Sequence, residues 1–154
     1  MNITYQVEKF KDCIEEGSLL GSANYKEGDP RAESVNINID WELYTKLEDA
    51  GSMVLITARD EELLAGYLIL TLASHPHIKD FIQASSDAIF VDKEYRGEGV
   101  GKELLTTAEE ALKEVGVGWI SLFFRDSKSS EGLMRSLNYK QTDVVFGKSL
   151  MGEG

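Results

Sequence analysis

Residues 96–102 read Arg-Gly-Glu-Gly-Val-Gly-Lys, with a short apolar run, Ala88-Ile89-Phe90-Val91, just before them and an amphipathic segment after them. A strand that empties into a glycine-rich helix start leaves backbone N–H groups without intrahelical partners, all aimed at one point. Such a point suits phosphate. The chemistry offered by Arg96-x-x-Gly99-x-Gly101 is therefore that of an anion cradle, with Lys93, Arg96 and Lys102 as cations around it.

Spacing separates the nucleotide sites that such a unit could form. A dinucleotide fingerprint needs glycine at its first, third and sixth positions, but counting from Gly97 the sixth is Lys102. A P-loop needs Ser or Thr after its Gly-Lys pair, and here Glu103 follows Gly101-Lys102. Both are excluded.

The elements that must carry the cradle are legible around it. Val100, Leu104, Leu105, Ala108, Leu112 and Val115 recur on one face at helical spacing, predicting a helix over 99–116 that Gly116 stops. Ala88–Val91 reads as the end of a strand from about Phe81, buried on both faces. Upstream, a strand over 3–6 and a helix from Val7 to Leu20 are expected, with Gly17 weakening the helix end, followed by a long irregular loop over 21–38. Asp40 caps a helix through Ala50, and strands over 53–58 and 63–72 form a hairpin. A His75-Pro76-His77 loop precedes the strand that feeds the cradle. Strand 117–124, helix 128–137 and strand 140–149 close the order, which predicts an α/β fold: a mixed sheet with helices on both faces.

At this point the chain resembles the GNAT superfamily of acyl-CoA-dependent N-acetyltransferases. The phrase Val91-Asp92-Lys93-Glu94-Tyr95-Arg96-Gly97-Glu98-Gly99-Val100-Gly101 is similar to that superfamily's pyrophosphate-binding signature, with Lys93 where proline is commoner. Order and spacing match over roughly residues 52 to 150, including the Asn138-Tyr139 turn. The resemblance implies a single GNAT-like domain over 1–154 that takes acetyl-CoA. It also implies that the backbone of Ile89, Phe90 and Val91 pairs with the pantetheine arm. The amides of Gly97, Glu98, Gly99, Val100, Gly101 and Lys102 would then hold the pyrophosphate, with Arg96 beside it. The segment Asp40-Trp41-Glu42-Leu43-Tyr44 and the His-Pro-His loop are similar to phage and prophage members.

The implied reaction needs a neutral amine, and alkyl ammonium groups keep their protons at neutral pH. A base is required. Asp87 stands on the strand whose equivalent in some members presents a catalytic carboxylate, and burial beside Ala88, Ile89 and Phe90 would raise its proton affinity. Asp87 is the best candidate for a general base, its other reading being a hydrated carboxylate at the exposed start of the strand, and His75 and His77 are alternate bases. The family's Asn and Tyr positions fall on Ser127 and Met134. Ser127 could donate to pantetheine or cap its helix, whereas Met134 has no proton to give a leaving thiolate. Tyr139 is expected in the core. Glu27, Asp29 and Glu33 could meet an ammonium or form a solvated acidic loop.

Composition sets the outer bounds. The chain has 154 residues, one cysteine, 42% hydrophobic and 28% charged residues, and a net charge of −11. Cys13 stands alone, so neither an internal disulfide nor a cysteine cluster for zinc is available, and it is expected to pack. No metal is expected. The negative charge disfavours nucleic acid and anionic membranes and favours cationic partners. With no apolar run of about 18 residues and no signal-like start, a cytoplasmic protein is expected, in the host cytoplasm if phage-encoded. The partners implied are acetyl-CoA and an amine, from a small molecule or a protein, and a homodimer is left open. Because Met134 and Ser127 replace the usual pair, a non-catalytic CoA-binding or protein-interaction module stands as the alternative, as does transfer of a longer acyl chain.

Overall fold

A computed structural model describes residues 2–151. Five strands pair in sequence order: β1 (Ile3–Glu8), β2 (Met53–Asp60), β3 (Leu63–Ser74), β4 (Ile82–Val91) and β5 (Val117–Ser121). The first three pairings are antiparallel and β4 with β5 is parallel, so the sheet is mixed as expected. Helices α1 (Ile14–Gly28), α2 (Trp41–Asp49), α3 (Val100–Glu114) and α4 (Ser127–Ser136) complete the order.

Alternation along the strands sorts side chains into two cores. On one face Ile56, Ala58, Leu68 and Leu70 meet Val100, Leu104, Leu105, Ala108 and Leu112 of α3, the stripe read from the sequence. Each fully buried leucine there contributes about 2 kcal/mol. Val115 is the exception: α3 ends one residue before it and leaves it 61% exposed. On the other face Leu55, Tyr67, Ile69 and Phe90 pack with Phe10 and Cys13, and with Trp41, Tyr44 and Leu47 of α2. Cys13 is buried, and burial pushes its thiol up to about 12, so it packs rather than reacts.

Three expectations are corrected. The residues from Val7 do not start a helix, because β1 runs on through Glu8 and pairs Val7 with Ile56. The first helix instead runs to Gly28, and the irregular loop shrinks to 29–40. Gly17 is not a stop signal; a Cβ there would lie 2.8 Å from the Trp41 ring, so the glycine lets α1 pass close over α2. Last, 140–149 form no strand. Their apolar residues, Val144, Val145 and Phe146, are 68%, 71% and 91% exposed. Strand propensity needs a neighbour to pair with, and among the described residues no strand pairs with this segment.

Local caps follow the sequence more closely. Asp40 accepts from Leu43 N at 2.9 Å at the start of α2, as expected. At α4 the cap is Asp126, which accepts from Lys128 N at 2.9 Å, and Ser127 is the first helical residue rather than the cap. The Ser127 side chain lies outside the described residues. Asn138, at φ 63°, makes the left-handed turn ahead of Tyr139.

Candidate functional site

The strand that feeds the cradle is open along one edge. β5 pairs with Ile82 to Ser85 only, so 86–91, including Ile89, Phe90 and Val91, have no strand on that side. Beyond the last pair the chain leaving β5 is held by a side chain, Phe123 N donating to Ser86 Oγ at 2.8 Å. Within this stretch Ile69 faces Ala88 while Leu70 faces Ser86, so Asp87 is the extra residue of a bulge. Bulges re-aim side chains, and this one turns Asp87 away from the ladder.

At the end of that edge, Gly97 and Gly99 take φ of 83° and 79°, and a Cβ on either would meet no protein atom within 4 Å. Glu103 N bonds to Gly99 O at 3.1 Å, which leaves the amides of Val100, Gly101 and Lys102 as the orphan donors of α3. Glu98 lies between the two left-handed glycines. An open concavity lined by free amides fits a pyrophosphate. Arg96 stands beside it but turns back: its Nε donates to Val91 O at 2.8 Å, its Nη2 to Glu27 at 2.9 Å, and its guanidinium lies 5.2 Å from the Phe90 ring centre.

Across the sheet from the α3 core lies a cleft of about 420 Å³, walled by α1, the 29–40 loop, α2 and the central strands. Asp87 and Ala88 line it, so the cleft meets the open edge of β4. Tyr44 donates to Asp87 Oδ2 at 2.5 Å. Burial, then the bond to Asp87, pushes the Tyr44 phenol well above the usual tyrosine range. Burial pushes Tyr67, also in the wall, up to about 12; its hydroxyl accepts from Asn24 at 3.2 Å. Asp87 itself is exposed rather than buried among its apolar neighbours on the strand.

The histidines are elsewhere. His75 and His77 sit on the β3–β4 hairpin loop, with rings 5.4 Å apart and His77 N donating to His75 Nδ1 at 3.1 Å. Asp87 is five residues beyond the start of β4, about 16 Å along it, and neither histidine lines the cleft. Met134 is half-buried against the α3 core. Tyr139 points to α3, donating to Glu109 at 3.1 Å, and burial raises its phenol beyond use near neutral pH. Among the described residues no group of His, Cys, Asp and Glu is placed to hold a metal.

Sequence reasoning missed the phenols of Tyr44 and Tyr67 and the charged end of the cleft. There Asp29, whose side chain is 5% exposed, pairs with Arg31 at 2.7 Å and Arg125 at 3.0 Å. Asp29 is thus no part of a solvated loop, Glu27 is paired with Arg96, and Glu33 is exposed with no ion-pair partner among the described residues. The bonds from Arg31, outweighing burial, hold the Asp29 carboxyl far below the usual range. Only the Asp-Pro dipeptide at 29–30, a turn signal, pointed to this corner.

The model of the acetyltransferase (GNAT) family matches residues 18–139, which include most of the cleft lining, the open edge and the cradle. The chain belongs to that family. GNAT folds also account for its resemblance to solved structures. An aminoglycoside acetyltransferase, meta-AAC0020 from an uncultured soil metagenomic sample, in complex with sisomicin, is 19% identical with a TM-score of 0.76, over 96% of both chains. The ribosomal-protein-alanine N-acetyltransferase of Brucella melitensis biovar Abortus 2308 is 17% identical with a TM-score of 0.71, over 97% of this chain and 99% of that one. The glucosamine-6-phosphate N-acetyltransferase of Arabidopsis thaliana is 14% identical with a TM-score of 0.73, again over 97% and 99%. No curated protein matches the chain. Among the described residues of this GNAT protein, no helix is long and apolar enough to cross a membrane.

Proposed function

We propose that the chain is one transferase domain that moves an acetyl group from acetyl-CoA to a primary amine bound in the cleft. One observation carries this reading: the open edge of β4, residues 86–91, includes Asp87 and Ala88 in the cleft wall and leads to the free amides at the start of α3. When bound, acetyl-CoA supplies an activated thioester carbonyl that an amine nitrogen attacks, forming the amide C–N bond and breaking C–S.

The chain's own residues then have distinct tasks. The amides of Gly97 to Lys102 hold the pyrophosphate, and the edge of Ile89, Phe90 and Val91 aligns the pantetheine amides as an added strand would. Asp87 is the base: Tyr44 occupies Oδ2, which leaves Oδ1 to accept the proton of the incoming ammonium. Met134 offers no proton, so the departing thiolate takes one from solvent. Ser127 stands near the start of α4 as a further pantetheine donor.

The test is release of free CoA from acetyl-CoA over a panel of amines, with the acetylated product identified by mass. Turnover supports the transferase. Tight CoA binding without turnover of any amine would favour a binding module, the reading motivated by Met134.

A further inference from the structure

The cleft is charged in an unusual way for this protein. The whole chain holds 27 acidic against 16 basic residues, yet the cleft's charged lining is two of each, Asp29 and Asp87 with Arg31 and Arg125. They form two groups: Asp87 of β4, bonded by Tyr44 of α2, and a corner where Asp29 holds Arg31 and Arg125.

That corner has more cation than its carboxylate can use. Asp29 Oδ1 accepts from Arg31 Nε at 2.9 Å and from Arg31 N at 2.8 Å, and Oδ2 accepts from Arg31 Nη2 at 2.7 Å and Arg125 Nη2 at 3.0 Å. Neither guanidinium has another hydrogen-bond or ion-pair partner among the described residues, and the two side chains are 71% and 53% exposed. The opposite stoichiometry occurs where an arginine serves the fold. Arg59, 15% exposed, is shared by Glu8 and Glu16 and also donates to Glu62 O, so that guanidinium is saturated. At Asp29 one buried carboxylate instead organises two guanidinium groups and leaves a net positive charge facing the cleft. Gly28 makes room for this, since a Cβ there would lie 2.9 Å from Arg125 Cδ.

We propose that the acceptor is a small zwitterionic amine, its ammonium at Asp87 and its carboxylate or phosphate between Arg31 and Arg125. The assignment rests on acetyl transfer to an amine as proposed above. A planar guanidinium fork held by a carboxylate matches either anion. The volume of about 420 Å³ fits a small molecule. A polycationic amine would set like charges against the two arginines.

The experiment compares kcat/KM, by CoA release, for matched amines: an ω-amino carboxylic acid, its primary amide, the corresponding aminoalkyl phosphonate, and spermidine. The acid or the phosphonate should exceed the amide by tenfold or more, and which of them leads identifies the anion. In Arg31→Gln/Arg125→Gln that ratio should collapse towards one. A ratio between two substrates of one protein cancels partial loss of folded enzyme. Equal or faster turnover of the amide or spermidine by the parent, or an undiminished ratio in the double variant, overturns the zwitterion while leaving acetyl transfer standing. No turnover of any amine by folded protein that binds CoA overturns the transferase reading, and the inference with it.

Discussion

Tyr44 Oη donates to Asp87 Oδ2 at 2.5 Å, tying α2 to the bulge of β4. The ring of Tyr44 is itself held by stacking on Phe10, with centroids 4.8 Å apart. The carboxylate is thus turned by the bulge of its own strand and held by an aromatic cluster packed on Phe10. Asp87→Asn should lower turnover by roughly 10² to 10⁴-fold with CoA affinity nearly kept. Tyr44→Phe keeps the stacking and removes the bond, so kcat should fall by about tenfold with CoA affinity unchanged. Wild-type turnover of Asp87→Asn across pH 6 to 9 would exclude Asp87.

The cradle is tested by adding a side chain to it. Gly101→Glu places a negative charge at the orphan amides, with Leu133 Cδ2 the nearest other atom at 3.8 Å from the new Cβ, so the fold has room for it. Gly99→Glu adds backbone strain at φ 79°, about 1–2 kcal/mol. Calorimetry should find CoA binding abolished in both, and unchanged affinity in folded Gly101→Glu would remove the cradle from the mechanism.

Arg96 donates to Glu27 and Val91 O in this structure, so Glu27 competes with a phosphate for its guanidinium. Arg96→Ala should weaken CoA by about 1.5 to 3 kcal/mol and a pantetheine-only analogue by less. Glu27→Gln, which frees the guanidinium, should tighten CoA binding. Equal losses of the two ligands in Arg96→Ala would instead assign Arg96 to the shape of the β4–α3 turn.

By the resemblance to the family, Met134 falls where a tyrosine is expected. Met134→Tyr introduces a phenol at a half-buried site on α4, and a rise in kcat would show that the parent works without a side-chain acid. Loss of stability with no change in kcat would place proton delivery elsewhere.

Two carboxylates make stability depend on acid. Asp29 is held low by Arg31 and Arg125; at Glu8 burial is outweighed by hydrogen bonds from Arg59 and Thr57, so it too is lowered. A depressed folded value means that this stability is fully present above the ordinary carboxylate range and drains as pH falls through the lower folded values. The melting temperature should therefore drop steeply below about pH 4. Asp29→Asn should melt lower at neutral pH and lose less between pH 4 and 2 than the parent. Arg59→Met, which leaves Glu8 and Glu16 without their shared cation, should cost about 3 to 5 kcal/mol by chemical denaturation.

What the sequence determined by itself is local: the stripe of α3, the alternation of the central strands, the Asp40 cap and the glycine cradle all follow from residue period and backbone freedom over a dozen positions. These are properties a segment keeps wherever it packs. Tertiary structure decided what depends on neighbours. Gly17 is a contact under Trp41 rather than a helix end, 140–149 found no partner strand, and the bulge left Asp87 exposed beside a tyrosine 43 residues away. The cleft shows the same division, because Asp29 and Arg125 are 96 residues apart and only the fold brings their charges to 3.0 Å. Electrostatic and packing energies depend on distance in space, which chain spacing encodes only within one element.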